Sequence, residues 1–308
     1  MRFALTGTPI ENNLMELWSI FDFIMPGYLY SEERFQEKFI DEVEANIDEL
    51  KTLIRPFILR REKKDVLKDL PHKIEKKFLV EMTTNQEKIY KAYMKSIKEK
   101  LKNNKEDKIT IFSYLTRLRQ LCLDPSLIID EYKGGSSKLR IAMELVQEGV
   151  DEGKKILLFS QFISVLKNIS KLLEKEGIEY FYLDGSTNAS ERIKLVNEFN
   201  KNSHVKVFLI SLKAGGTGLN LTSANLVIHF DPWWNPAIED QATDRAHRIG
   251  QKNLVQVIKL VCKGTIEEKI IMLQEDKKEL INNVMNSDLK SGNLINTLSK
   301  EEILDLFT

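Results

Sequence analysis

The sequence contains only two cysteines among its 308 residues, Cys122 and Cys262. They lie far apart and have no Cys-x-x-Cys spacing or neighbouring histidines, so the pattern indicates neither a disulfide scaffold nor a zinc site. We therefore expect both to be buried thiols, and we expect no metal site in this sequence.

Long apolar runs are also missing. The longest stretches, 154–159 and 205–210, fall far short of the roughly 18 to 20 residues that a membrane-spanning helix needs. The first residues do not show the charged, apolar and small segments of a signal peptide. Accordingly, we expect no membrane partner and a cytosolic location.

An excess of charge of either sign is absent from the chain as a whole, because 46 basic residues balance 46 acidic ones. A net charge of zero argues by itself against nucleic acid as a partner. The charges do not balance locally, however: residues 1–50 hold 3 basic and 11 acidic side chains, whereas residues 51–108 hold 18 basic and 9 acidic ones. Such a basic band is enough for contacts with phosphate, although a solvated helical face explains it equally well.

The first third of the chain is predicted to be helical. Residues 14–25 carry apolar side chains at helical spacing up to Pro26 and Gly27, and charged and apolar positions continue to alternate over 31–110. Beyond a hinge-like segment at 133–137, short apolar strands alternate with amphipathic helices. The strand candidates are 156–159, 180–183, 205–211, 226–230 and 254–261; the helix candidates are 138–150, 163–176, 190–201 and 237–248, with a last helix at 265–285. This alternation predicts an α/β domain with a parallel sheet flanked by helices.

The segment 235–251 carries the strongest helix signals. Asn235 suits the N-cap, Pro236 the first helical position and Gly250 the end of the helix. The buried face would consist of Ile238, Ala242, Ala246 and Ile249. We therefore predict one continuous helix over 237–248.

Another face of this helix would carry Gln241, Arg245 and Arg248 at positions i, i+4 and i+7. Side chains at this spacing point in one direction, and two aligned guanidinium groups suit a polyphosphate. The alternative is that the arginines form surface ion pairs with Asp244 and Glu239. Spacing alone leaves both interpretations open.

A glycine-rich segment follows the strand that ends near residue 211. Three glycines, Gly215, Gly216 and Gly218, lie within four positions. A backbone without side chains can approach a phosphate closely, whereas a single glycine turn is more often only a tight connection. We take Gly216, Gly218 and Asn220 as the candidate cofactor-binding residues of this segment.

Several ordered motifs together resemble the Swi/Snf family of DNA-translocating ATPases, a branch of helicase superfamily two. They are Leu5-Thr6-Gly7-Thr8-Pro9, 59–66, Leu118-Arg119-Gln120-Leu121-Cys122, 159–162, 183–187, 213–221, Trp234-Asn235-Pro236 and 244–251. The resemblance spans nearly the whole chain. It implies a second recombinase-A-like lobe preceded by a largely helical segment.

The same resemblance implies roles for individual residues. Arg245 and Arg248 would be arginine fingers that reach the γ-phosphate of ATP, and Gln241 would help to position them. The DNA-binding candidates are Gln161, Ser186, Thr187, Lys213 and Trp234. For Trp233 and Trp234 the alternative is core packing. For Ser186 and Thr187 it is a turn into a helix capped at Asn188.

The phosphate-binding loop and the acidic pair that such an ATPase needs are absent in usable positions. The nearest matches, 149–155 and 127–131, have the wrong length or place in the chain. We therefore expect a piece of a longer protein that uses ATP with Mg²⁺ and is inactive alone. Its expected divisions are 1–57, the end of a first lobe with a helical protrusion; 58–135, a second protrusion and linker; 136–264, the second lobe; and 265–308, a bracing helix and tail.

The expected partners are double-stranded DNA, the missing ATPase lobe and a DNA-bound protein, in the cytoplasm of a bacterium and on its nucleoid. Two other functions are consistent with the sequence. One is a non-catalytic module that binds DNA or docks a protein, in which the arginines are structural. The other is a strand-separating helicase of the same superfamily.

Overall fold

The computed structural model describes residues 2–6, 14–41, 43–59, 67, 70–103, 107–215, 218–285 and 306–307. They divide into two compact units. One contains the described residues within 1–66, 234–237 and 272–305, and the other contains those within 67–233, 238–271 and 306–308. None of the described helices combines the length and the apolar composition that a bilayer crossing requires.

The first unit contains helices, as the apolar spacing of its sequence predicts. Its elements are α1 (Leu14–Ile24), α2 (Glu32–Gln36), a π-helical turn (Glu37–Asp41), α3 (Val43–Ile54) and a 3-10 turn (Arg55–Phe57). The hydroxyl of Ser31 caps α2 by accepting a hydrogen bond from the Arg34 amide. The apolar core comprises Leu14, Leu17, Phe21, Leu29, Phe35, Phe39, Leu50 and Ile54.

The second unit is built on a six-stranded parallel sheet. Its strands are β1 (Lys73–Val80), β2 (Ile156–Ser160), β3 (Tyr180–Leu183), β4 (Val207–Ser211), β5 (Leu226–His229) and β6 (Val255–Cys262), in the order β1-β6-β5-β2-β4-β3. The connecting helices are α4 (Thr84–Asn103), α5 (Lys108–Leu123), α6 (Ser137–Asp151), α7 (Ile163–Lys175), α8 (Ala189–Lys201), α9 (Leu212–Gly215) and α10 (Pro236–Thr243). Helix α11 (Ile266–Met285) follows the last strand. The predicted parallel sheet flanked by helices is confirmed.

Strand β2 shows how the sheet is buried on both faces. Ile156 and Leu158 belong to one core cluster, and Leu157 and Phe159 belong to the other. Because successive side chains of a strand point to opposite faces, a strand covered on both sides is apolar throughout. All five residues of β2 are buried, which explains why the sequence located this strand well.

Strand β1 corrects the prediction that 31–110 is helical throughout. Residues Lys73 to Val80 pair in parallel with β6 from Val255 to Cys262. Seven of the eight β1 residues are exposed, as an edge strand with one neighbour allows. With four charged side chains in its sequence, KIEKKFLV, β1 lacks the apolar alternation of a strand.

Candidate functional site

The carboxyl ends of the six strands lie at one edge of the sheet, because all the strands are parallel. In parallel sheets this edge is where ligands bind. Gln161 directly follows β2, the turn at 184–187 follows β3, α9 follows β4, and the segment 230–233 follows β5. We call this region the strand-end edge.

A buried carboxylate, Asp231, joins two loops of the strand-end edge. It accepts hydrogen bonds from the Ser160 hydroxyl and from the Gln161 amide, whose nitrogen is 3.3 Å from Oδ1. The Arg119 guanidinium on α5 lies 3.5 Å from Oδ2 and donates to the Pro232 carbonyl at 2.6 Å. One side chain from the helical segment therefore fixes the loops after β2 and β5.

Burial dominates the electrostatics of the Arg119–Asp231 pair. It raises the pKa of Asp231 to about 6, although Arg119 acts in the opposite sense. It also lowers the pKa of Arg119. The guanidinium packs over the rings of Phe162 and Trp233, at 5.3 and 5.8 Å from their centroids. No site role was predicted for this pair, although Arg119 belongs to the motif Leu118-Arg119-Gln120-Leu121-Cys122 and Asp231 directly follows the predicted strand 226–230.

A second buried group of polar residues supports the loop after β5. Glu239 accepts a hydrogen bond from the Trp233 amide at 2.6 Å and lies 2.8 Å from the Lys259 ammonium. Burial acts to raise the pKa of Glu239, but the charge of Lys259 and the hydrogen bonds from Lys259 and the Trp233 amide act in the opposite sense, and the pKa lies below its ordinary value. Since Trp233 also packs against the core, its expected core role is supported, and Glu239 is committed to this buried network.

The predicted helix over 237–248 is wrong in its length, because α10 ends at Thr243. Arg245 and Arg248 lie in the turns that follow, so they do not share a helical face with Gln241. Asn235 does cap the helix, since its Oδ1 accepts a hydrogen bond from the Ala237 amide at 3.0 Å.

The hydrogen-bond pattern changes where the helix ends. The Arg245 amide donates to the Ala242 carbonyl at 3.2 Å and the Ala246 amide to the Thr243 carbonyl at 3.0 Å, so these bonds span three residues instead of four. The turn is held by the Leu221 amide, which donates to the Arg245 carbonyl at 2.9 Å, and by the Gln251 side chain, which donates to the Ala246 carbonyl at 3.0 Å. Ile249, expected on the buried face, is 70% exposed.

Arg245 nevertheless lies beside the glycine-rich segment. The Nε of Arg245 donates to the Gly215 carbonyl at 3.1 Å, and its side chain is half-buried. Burial, followed by the positive charge of Arg248, lowers the pKa of Arg245, while the carboxylate of Asp244, a partner in the alternative interpretation, acts in the opposite sense. Arg248 is exposed. Two mutually repelling cations, one of them partly desolvated, form a site that an anion would stabilise.

The glycine-rich segment begins as a helical turn, α9, and its glycines differ in what they require. A Cβ on Gly215 would lie 2.9 Å from the Phe159 ring, so this position needs glycine for close packing. Gly218 is exposed and has a φ of +37°, which favours glycine. Asn220 is exposed, and its carbonyl accepts from the Asn200 side chain at 2.7 Å. The predicted residue Gly216 lies outside the described residues.

Ser186 and Thr187 form the turn that the alternative interpretation predicts. Asp184 accepts hydrogen bonds from the Ser186 amide and hydroxyl at 2.8 and 2.6 Å, and its own amide donates to the Thr187 hydroxyl at 3.2 Å. The Asn188 side chain then caps α8 through the Glu191 amide. Ser186 remains exposed, so this turn presents an ordered hydroxyl at the strand-end edge.

The remaining candidate residues differ in their surroundings. Lys213 on α9 is exposed, and Gln241 on α10 is half-buried. The Nε2 of Gln161 is buried and has no hydrogen-bond partner among the residues that the structure describes. Trp234 is half-buried and belongs to the first unit, so it is not counted with the strand-end edge.

The parallel sheet flanked by helices, with its strand-end edge, defines the class of protein: it is a recombinase-A-like ATPase lobe. Residues 1–127 match the SNF2-related domain, and residues 137–250 match the helicase conserved C-terminal domain. A solved Sulfolobus solfataricus SWI2/SNF2 ATPase C-terminal domain is 36% identical, with a TM-score of 0.59, over 76% of this chain and 97% of that one. The chain belongs to the Swi/Snf family.

Two longer relatives show the same similarity. The SWI2/SNF2 ATPase core of Sulfolobus solfataricus, solved in complex with double-stranded DNA, is 41% identical, with a TM-score of 0.62, over 98% of this chain and 66% of that one. An uncharacterised ATP-dependent helicase of Mycoplasma pneumoniae is 41% identical over 99% of this chain and 29% of its own length. The chain spans about a third of the length of the curated relatives it matches.

Proposed function

We propose that this chain is the part of a Swi/Snf-type motor that supplies arginine fingers and contacts with the DNA backbone. The motor would couple ATP hydrolysis to movement along double-stranded DNA. The observation that carries the proposal is the placement of Arg245, half-buried and bonded to Gly215, with the exposed Arg248 close enough to lower its pKa.

The phosphates of ATP would bind beside the guanidinium groups of Arg245 and Arg248. Arg245 and Arg248 would contact the γ-phosphate, where such a group is worth on the order of a thousandfold in turnover. Gln241 would orient them, and Gly216, Gly218 and Asn220 would line the approach of the nucleotide. The described residues include no group of three or more His, Cys, Asp or Glu side chains that could hold a metal. We place the ligands for Mg²⁺ elsewhere in the protein because the sequence lacks, in a usable position, the acidic pair that such an ATPase needs.

Double-stranded DNA would lie along the strand-end edge. Lys213 would provide a charge, and Ser186 and Thr187 would provide hydroxyl groups. Gln161 would provide an amide donor after its side chain rotates outward, because its Nε2 is buried and unsatisfied among the described residues. Trp234 belongs to the first unit and is proposed separately as an aromatic contact with the duplex. The similarity to a Sulfolobus core solved with duplex DNA supports this proposal, which places the protein in the compartment that holds the chromosome.

A complementation experiment tests the proposal. The chain is mixed with a separately produced segment that carries the phosphate-binding loop of the same protein, and ATP hydrolysis is measured with and without duplex DNA. We expect no hydrolysis by the chain alone, DNA-dependent hydrolysis by the mixture, and loss of it with Arg245→Ala. Arg140→Ala is the matched control, because Arg140 is exposed and pairs only locally with Glu144.

The outcomes separate the proposal from its rivals. Duplex binding that never restores hydrolysis would favour the non-catalytic module. Strand displacement by the whole protein would favour a strand-separating helicase. Hydrolysis that is unaffected by Arg245→Ala would refute the assignment of this residue.

A further inference from the structure

Helix α4 carries a row of lysines on one face. The row consists of Lys88, Lys91, Lys95, Lys98 and Lys102, all of them exposed. Steps of three and four residues keep these side chains on the same side of the helix. At 1.5 Å per residue, the lysine row is about 21 Å long.

The opposite face of α4 is fixed to the second unit. The Gln86 side chain donates to the carbonyls of Leu121 and Cys122 at 2.8 and 3.0 Å. The Tyr90 hydroxyl accepts from the Ile266 amide at 2.8 Å, and Ile97 is buried. These contacts hold the lysine row in a defined orientation.

The lysine row begins near the strand-end edge. Helix α4 starts four residues after Val80, the carboxyl end of β1. The Ile266 amide that bonds to Tyr90 lies just after the carboxyl end of β6. From this anchored first part beside β1 and β6, α4 continues for three further turns, and the proposed DNA contacts lie at the ends of β2, β3 and β4 in the same sheet.

The charges on α4 are arranged unfavourably for the helix alone. It contains six lysines and two glutamates, and Lys91 pairs with Glu87 at 2.5 Å. Glu87 and Glu99 lie three or four positions from Lys91, Lys95 and Lys102, as on an ordinary solvated helical face, and offset part of the positive charge. Each lysine of the row also has another lysine three or four positions away, and such neighbours repel. The chain as a whole is neutral, so the positive row is a local feature that a polyanion would relieve.

We infer that the lysine row is an auxiliary contact for the phosphate backbone of double-stranded DNA, outside the motor site; this inference rests on the proposed function. Flexible ammonium groups act as point charges and suit contacts that do not depend on base sequence. A duplex presents about one phosphate per 1.7 Å of its axis, so several phosphates fall within the length of the row. The row would hold the duplex beyond the segment gripped at the strand-end edge.

The dependence of DNA affinity on salt concentration tests this inference. Affinity of the chain for a fluorescent duplex is measured by anisotropy at several salt concentrations. In the test variant, Lys88, Lys95, Lys98 and Lys102 are changed to Gln; the charge-matched control changes Lys171, Lys175, Lys194 and Lys201 on α7 and α8, which are also exposed. Each lost phosphate contact lowers the slope of log affinity against log salt by about 0.9.

We expect the test variant to lower this slope by roughly 2 to 4 and the control to leave it unchanged. Arginine at the four test positions should keep the slope, which separates loss of charge from loss of folding. Equal slopes for the test and control variants, or no duplex binding by the wild type, would overturn the inference. Binding of the same variants to polyglutamate, an acidic polypeptide, is measured as well. A test variant that loses polyglutamate binding but keeps its affinity for the duplex would also overturn the inference. Row-dependent duplex binding without DNA-stimulated ATP hydrolysis by the whole protein would refute the proposed function alone.

Discussion

Asp231 and His229 are two buried groups whose effects on stability should oppose each other between pH 4 and pH 6.5. Burial raises the pKa of Asp231 from its ordinary value of 3.8 to about 6. Burial also lowers the pKa of His229 from 6.5 to about 4. In both cases burial favours the neutral form. The Nε2 of His229 is 2.8 Å from the Thr243 hydroxyl, and its ring stacks on Phe159.

The signs follow from counting protons. Between pH 3.8 and about 6 the folded protein holds a proton on Asp231 that the unfolded chain has lost, so stability falls as pH rises through this window. Between pH 6.5 and about 4 the unfolded chain binds a proton on His229 that the folded protein excludes, so stability falls as pH drops. Each shift corresponds to about 3 kcal/mol, and in the wild type the two contributions largely cancel.

Single substitutions expose each contribution. The free energy of unfolding is measured with urea from pH 4 to pH 7 for the wild type, Asp231→Asn and His229→Phe. Relative to the wild type, Asp231→Asn should lose about 3 kcal/mol on going from pH 7 to pH 4, and His229→Phe should gain about 3 kcal/mol. The double variant should again parallel the wild type. Differences from the wild type that stay constant over this range would refute the reasoning.

Three further predictions concern packing and hydrogen bonding. Gly215→Ala forces the neighbouring ring to move and should cost about 1 to 3 kcal/mol in urea unfolding; an unchanged midpoint would contradict the close packing. Lys138→Met leaves the buried Glu267 without its ammonium partner at 2.7 Å and should cost about 3 to 5 kcal/mol of unfolding free energy. Adding Glu267→Gln in the same chain should recover most of this loss; an equal loss in the single and the double variant would contradict the pairing. The hydrogen bond from Ser186 is the main cause that lowers the pKa of Asp184, so Ser186→Ala should raise that pKa towards its ordinary value in an NMR titration; an unchanged value would argue against the turn.

The sequence predicted those parts of the fold in which the local pattern and the tertiary environment agree. Strands β2 to β6 are short apolar runs because helices cover both faces of the sheet. β1 was missed since it is a charged edge strand held by pairing with β6. The helix over 237–248 was predicted too long because the Arg245 and Ala246 amides bond to carbonyls three residues back, in a turn that bonds from Leu221 and Gln251 hold.

The candidate site was predicted in part. Both the glycine-rich segment and Arg245 were identified from the sequence, and the structure joins them through the Gly215 carbonyl. The link between Arg119 and Asp231 spans 112 positions of the chain. Only the fold brings these two residues together, and periodicity carries no information about such contacts. Both cysteines are buried thiols, as expected.

The role of the paired arginines is tested by ATP hydrolysis of the whole protein that contains this chain, measured with saturating duplex DNA for the wild type and Arg248→Ala. Arg248 is exposed beside Arg245, so its removal should not disturb folding. We expect turnover to fall by about a thousandfold with unchanged affinity for the duplex. Turnover equal to that of the wild type would contradict the account.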